Sequence, residues 1–226
     1  MRNVAIDEGL SALCPRVALG CVAAHVAAGA TPAGLDAELN EAAQKILRLP
    51  EPRAVLGATA IEATRRGYKA LGKDPARYRG SAEALLRRVI AGKGLPRINN
   101  VVDIINLVSV ESRLPIGLYD ADNVRGDIVF RAGRAGETYK GIGKYDLNLE
   151  GLPVFCDAAG PHGSPTSDSE RTMVTEATKE VLGILISFGG AEGLAAWCER
   201  LAALLKDYAA AQRVETAVVQ RGELSK

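Results

Sequence analysis

Residues 163–172, read as GSPTSDSERT, gather hydroxyl, carboxylate and guanidinium groups into one short stretch. Such a set suits a nucleophile loop, an anion clamp or the capped start of a helical turn. Ser167 and Glu170 have the S-x-x-E spacing of a capping box, in which the two side chains satisfy the first free N–H groups of the turn. A turn of that kind also presents N–H groups to an anion or oxyanion, here beside Asp168 and Arg171. A serine nucleophile has little support: no GxSxG occurs, and Ser164, Ser167 and Ser169 only neighbour His162 in sequence, with no orienting acid assigned. Asn106 and Ser109, three apart on a predicted helix, form a second polar pair able to face a pocket.

Charge gives another lead. The 226 residues carry a net charge of only +1, yet residues 65–97 hold ten Lys or Arg against Asp74 and Glu83, a local balance of +8 that leaves −7 for the remainder. That asymmetry points to a polyanionic partner, with a solvated basic face as the bland alternative. Neither GxGxxG nor a Walker pattern occurs. Cys14, Cys21, Cys156 and Cys198 form no CxxC pair and have no metal-like spacing to a histidine, so they read as buried thiols of a reducing compartment, and no metal or cofactor is expected. Asp7 and Glu8 interrupt the place where a signal peptide needs its apolar run, and no apolar run approaches a membrane span. A cytoplasmic protein is expected, with no membrane and no DNA partner. His25, within an apolar alanine-rich stretch, reads as a core or strand-end residue rather than a ligand.

The elements that must position these groups alternate along the chain. A buried strand is predicted at 16–26, then a helix at 31–49 with Thr31 as cap and Pro32 in its first turn. A second helix is predicted from Pro52 to Gly72. A third is capped by Ser81 and ended by Gly92 or Gly94, and a fourth is capped by Asn99 or Asn100. Strands follow at 127–131 and 152–158, with a short one after the glycine turn between them. The apolar run after Thr178 is read as a strand, residues 189–212 as a helix, and the last segment as an edge strand whose Ala217, Val218 and Val219 could pair within or between chains. No linker or repeat divides residues 1–226, which read as one domain.

Residues 85–139 carry a resemblance. VVDIIN at 101–106, the Leu-Pro before Leu118, Tyr119 and Asp120, then Gly126, Ile128, Arg131 and GET at 136–138 are similar, in order and spacing, to the B3/B4 region of the β subunit of bacterial phenylalanyl-tRNA synthetase. The flanks RYRGSAEALLRR and SDSERT resemble free-standing members of the same group. No aminoacylation motif occurs, so the resemblance implies a detached module of α+β class, a B3/B4-type domain with a sandwich-like β core and helices packed outside. It implies hydrolysis of the ester of a misacylated tRNA, with the aminoacylated 3′ end as partner.

On that reading Asn106, Ser109, Asp168 and Glu170 are the candidate catalytic residues: the amide and hydroxyl line the pocket, and the carboxylates hold a water or the ammonium. An activated ester needs little more than positioning, with a ribose hydroxyl acting within the substrate. Arg171 would take the terminal phosphate, with Asn100, Gly117, Ser169 and Thr172 beside it. Arg77, Arg79, Arg87, Arg88 and Arg97 supply backbone contacts, and Tyr68 and Tyr78 are placed to stack on an unpaired base. Asp120 and Glu137 sit beside glycine-rich turns and are expected to be structural. Gly117 stands where the synthetase has a histidine, and the glycine-rich segment that selects tyrosine has no clear counterpart. Tyrosine specificity is therefore not implied, and a module that binds tRNA or an amino-acid-like ligand without turnover is the alternative.

Overall fold

The computed structural model describes residues 1–143 and 145–221. In chain order the first elements are β1 (Val4–Ile6), α1 (Glu8–Leu13), β2 (Ala18–His25), α2 (Ala33–Leu47), α3 (Thr59–Ala70), α4 (Ser81–Ile90) and α5 (Asn100–Ser112). Strands then dominate: β3 (Ile116–Asp120), β4 (Ile128–Ala132), β5 (Thr138–Lys140), β6 (Asp146–Asn148), β7 (Pro153–Asp157), β8 (Gly160–Gly163) and β9 (Glu180–Ser187), before α6 (Leu194–Ala209) and β10 (Gln212–Val219).

Two four-stranded sheets form the core. One has the order β10-β2-β9-β3 and is antiparallel throughout. The other, β1-β4-β7-β8, is antiparallel except for the parallel β1–β4 pair. The strand period of two explains why the first sheet is buried on both faces. In β2 and β9, Leu19, Cys21, Leu182, Ile184 and Ile186 point toward Phe130 and Phe155 of the second sheet. Ala18, Val22, Ala24, Val181 and Leu185 point the other way, into a layer built from α2, α4, α5 and α6. Each of these fully buried branched side chains contributes roughly 1.5–3 kcal/mol relative to exposure. The result is a helical layer, a sheet and a second sheet, which is the sandwich-like core with helices outside that was expected. A β5–β6 hairpin closes a smaller cluster around Tyr68, Tyr139 and Leu149.

Local chemistry agrees with the sequence reading at one helix end and departs from it at three. Asn99 caps α5, its side chain accepting the Val102 N–H at 2.9 Å. Thr31 caps nothing: α2 begins after Pro32, and the Thr31 hydroxyl donates to Asp103 at 2.6 Å. Ser81 lies inside α4, where its Oγ accepts the Ile116 N–H at 3.3 Å and ties the helix to β3. The helix predicted from Pro52 to Gly72 is broken, with a 3-10 turn at Pro52–Gly57 and an extended Ala58 before α3. Pro52 opens that turn, and one 3-10 stretch of this length does not propagate.

Candidate functional site: a buried polar cluster and a basic surface

The polar stretch at 163–172 is a folded-back strand end rather than a capped helix. Ser164 organises it: its Oγ accepts the N–H groups of Thr166 and Ser167 at 3.3 and 3.1 Å and donates to the Ser167 carbonyl at 2.9 Å. Gly163 bridges to Asp168, and the Ser169 N–H donates to the His162 carbonyl at 2.9 Å. The 3-10 turn that follows, Glu170–Thr172, has Ser169 at its start and no side-chain cap. The Ser167–Glu170 capping box therefore does not form. Serine 164 takes the donors that a helix start would have needed.

Behind this loop lies a cluster of buried polar groups. Asp168 accepts the Leu118 N–H at 3.4 Å, and its carboxylate lies beside the phenols of Tyr119 and Tyr139. Burial first, and then the Asp168 charge, push the Tyr119 phenol well above its ordinary range. Tyr139 donates to the Ser167 carbonyl at 2.5 Å. His162 meets the edge of the Tyr119 ring at a centroid distance of 4.6 Å. It is 0% exposed, and neither ring nitrogen has a hydrogen-bond partner among the described residues. Burial, helped by Arg171 and opposed by Asp157, pushes the imidazole down to about 4, so it is neutral at pH 7.

Gly117 shows how this cluster is packed. The Tyr119 ring folds back along β3 and lies between Gly117 and Gly163. A Cβ on Gly117 would overlap the Tyr119 hydroxyl and lie 2.7 Å from Cζ, and one on Gly163 would lie 2.6 Å from the same carbon. Tyrosine 119 thus occupies the space into which a side chain at position 117 would project.

The remaining candidate residues are spread over the fold. Asn106 is half-buried on α5, and Ser109 on the same helix donates to the Leu114 carbonyl at 2.7 Å, closing the helix end. Both lie on α5 in the helical layer, across the first sheet from the face on which the Tyr119 side chain packs. Asn100 is a structural tie: its carboxamide accepts from Gly29 and donates to the carbonyls of Ala27 and Tyr208, all at 2.9 Å. Glu170 pairs with Lys140 at 2.9 Å. Arg171 makes a bidentate pair with Asp157 at 2.9 Å and also donates to the carbonyls of Asn123 and Gly160. Burial alone would raise the Asp157 carboxyl, but Arg171 and the N–H groups of Arg125 and Ala159 hold it below the carboxylate range. Ser169 and Thr172 are buried against the His162 carbonyl. The four candidate catalytic residues are therefore not brought into one cavity, and Asp168 alone of them joins the buried cluster. His162 was set aside as only a sequence neighbour of the serines, yet the fold buries it at the centre. Its signal in the sequence was the pair of glycines at 160 and 163 that bound its short strand. Glu137 and Asp120 are structural, as expected: Glu137 forks with Arg131 at 2.6 and 2.8 Å, and Asp120 accepts from Thr178 at 2.8 Å.

The basic segment divides in two. Arg65 and Arg87 clasp the buried Glu83, each at 2.8 Å, and Arg97 pairs with Asp36 at 2.6 Å. Arg66, Lys69, Lys73, Arg77, Arg79, Arg88 and Lys93 form no ion pair among the described residues, and all but the half-buried Lys73 are exposed. Lys73 and Arg77 lie over the Tyr78 ring at 6.0 and 5.5 Å from its centroid. Tyr68, by contrast, is 1% exposed and shares a hydrogen bond with Thr166 at 2.5 Å, so it offers no face to a base. Arg16, outside the basic segment, joins Arg66 at the rim of a hollow of about 240 Å³ floored by Ala63 and Phe188. No group of ligating residues able to hold a metal ion, and no helix long and apolar enough to cross a membrane, is present among the described residues.

Helices on one sheet, a second sheet on the other, and a polar cluster at the end of β3 define an α+β module. Residues 63–191 match the B3/4 domain, more than half of the chain, and the chain belongs to that family. It is 35% identical over 104 residues to a phenylalanine–tRNA ligase beta subunit of Paramagnetospirillum magneticum, covering 45% of this chain and 13% of that protein. It is 33% identical over 84 residues to the Bradyrhizobium diazoefficiens beta subunit, covering 37% and 10%. The match thus spans only about a tenth to an eighth of the length of these relatives. An N-terminal fragment of the phenylalanyl-tRNA synthetase beta subunit from Pyrococcus horikoshii covers 98% of this chain and 52% of its own, at 14% identity and a TM-score of 0.44.

Proposed function

We propose that this chain is a cytoplasmic module that binds the 3′ end of a tRNA through its unpaired cations. The observation that carries the reading is the exposed set Arg66, Lys69, Arg77, Arg79, Arg88 and Lys93, which have no carboxylate partner among the described residues, in a chain whose net charge is only +1. Phosphate contacts of this kind release counterions and give affinity that falls steeply with salt. Tyr78, already flanked by Lys73 and Arg77, supplies a ring on which a terminal base can stack. The ring of Tyr119 over Gly117 favours binding without turnover in the arrangement seen here.

A second reading, trans-editing hydrolysis of a misacylated tRNA, is favoured by the half-buried Asp168 beside the buried Tyr119 and His162. It requires the Tyr119 ring to leave the space over Gly117 and admit an aminoacyl group. One experiment separates the two: the purified protein is offered a full panel of mischarged tRNAs, with binding and deacylation measured in parallel. Salt-sensitive binding with no turnover above a no-enzyme control supports the first reading. Turnover that Asp168→Asn slows supports the second, and absence of both binding and turnover removes both.

A further inference from the structure

A cleft of about 450 Å³ opens in the helical layer, between α2, the end of α5 and α6. That volume lies within the usual range for small-molecule sites. Ile46, Leu49, Val110 and Trp197 give it an apolar wall. Its three carboxylates are already engaged. Glu38 accepts from Arg200 at 2.7 Å and from the Tyr208 hydroxyl at 2.6 Å. Glu111 takes the other side of Arg200 at 3.2 Å, and Glu41 pairs with Arg48 at 3.6 Å. Two lining cations have no such partner among the described residues, Lys45 and the half-buried Arg113.

We propose that this cleft binds a small organic anion with a flat apolar body, its charge held by Arg113 and Lys45 and its body by Trp197. Arg113 is the centre of the case. A guanidinium taken partly out of water without an acceptor is unfavourable, and an entering carboxylate or phosphate relieves it with a bidentate fork. Burial already draws this arginine below its ordinary value, with Glu111 opposing. The backbone makes the same point independently. Arg113 terminates α5 at φ 65°, a left-handed position that glycine adopts without strain. An arginine there serves the helix end less well than glycine, so its value lies in the side chain.

Trp197 is the only tryptophan in the sequence, so its fluorescence reads this cleft directly. The full chain is titrated with benzoate and with AMP, which separate a carboxylate from a phosphate source. Benzamide lacks the charge, and inorganic phosphate lacks the apolar body. Saturable quenching by benzoate or AMP, at least about tenfold weaker with benzamide and phosphate, is the expected result. Arg113→Gly should hold or raise the melting temperature and weaken binding at least about tenfold. If that variant melts lower, Arg113→Gln is read instead. No saturable change with either anion, or unchanged affinity on removing the guanidinium, overturns the proposal.

Discussion

Protonation of His162 offers a direct measure of how tightly the polar cluster is sealed. Its imidazole titrates near 6.5 in an unfolded chain and at about 4 in the fold, so above pH 6.5 neither state carries the charge. Between those values the unfolded chain binds a proton that the folded protein refuses, and stability falls with pH; below about 4 both are protonated and the loss is complete. The full difference is about 3 kcal/mol, of which about 2 kcal/mol is already lost at pH 5. Urea unfolding from pH 7.5 to 5.0 should show that slope, since the carboxylates held low by Arg65, Arg87 and Arg171 begin to titrate only in more acid solution. His162→Phe keeps an aromatic ring against Tyr119 and Phe155 while removing the titrating group. The variant's curve should be flatter by about 2 kcal/mol over the same interval, a difference that cancels any contribution from His25. If the two proteins lose stability in parallel, His162 is solvated and the cluster is not sealed.

Other perturbations test neighbouring parts. Gly117→Ala should destabilise the protein by about 1–3 kcal/mol in the same unfolding assay, because the Tyr119 ring must move out of a fully buried position. Arg171→Ala should cost about 3 kcal/mol by stranding the buried Asp157 carboxylate, with Arg171→Lys recovering only part of the loss. Replacing Arg77, Arg79 and Arg88 together with alanine should leave the melting temperature nearly unchanged and reduce the slope of log affinity for tRNA against log salt by about 2–3. A change in that slope equal to that of an Arg97→Ala control would sink the assignment of the free cations as phosphate contacts.

The fold was readable wherever one-dimensional patterns carry it. The apolar run of β2, the β-branched run of β9 and the amphipathic helices α4 and α6 all lie close to their predicted places, because burial on one or both faces leaves a periodic trace. Caps were less readable, since Thr31 and Ser81 spend their hydroxyls on Asp103 and β3, partners distant in sequence. The site was least readable for the same reason. Arg171 and Glu170 have the right chemistry for substrate, but Asp157 and Lys140 claim them, and no local signal announces a partner contributed by another strand. The mismatch also explains His162, whose isolation from water depends on Tyr119 and Phe155 rather than on its own neighbours.

The position of β2 has a consequence for synthesis. Its two hydrogen-bonded neighbours are β9 and β10, at 180–187 and 212–219, so an apolar strand made near the start must wait for segments made near the end. At roughly 5–20 residues per second the first of them follows after about 8–30 s. During that interval both edges of β2 lack their hydrogen-bonding strands, a state that invites association with other nascent chains. Slower elongation ahead of residue 180 should therefore lower the yield of folded protein, and a trigger-type chaperone acting on the emerging chain should restore it.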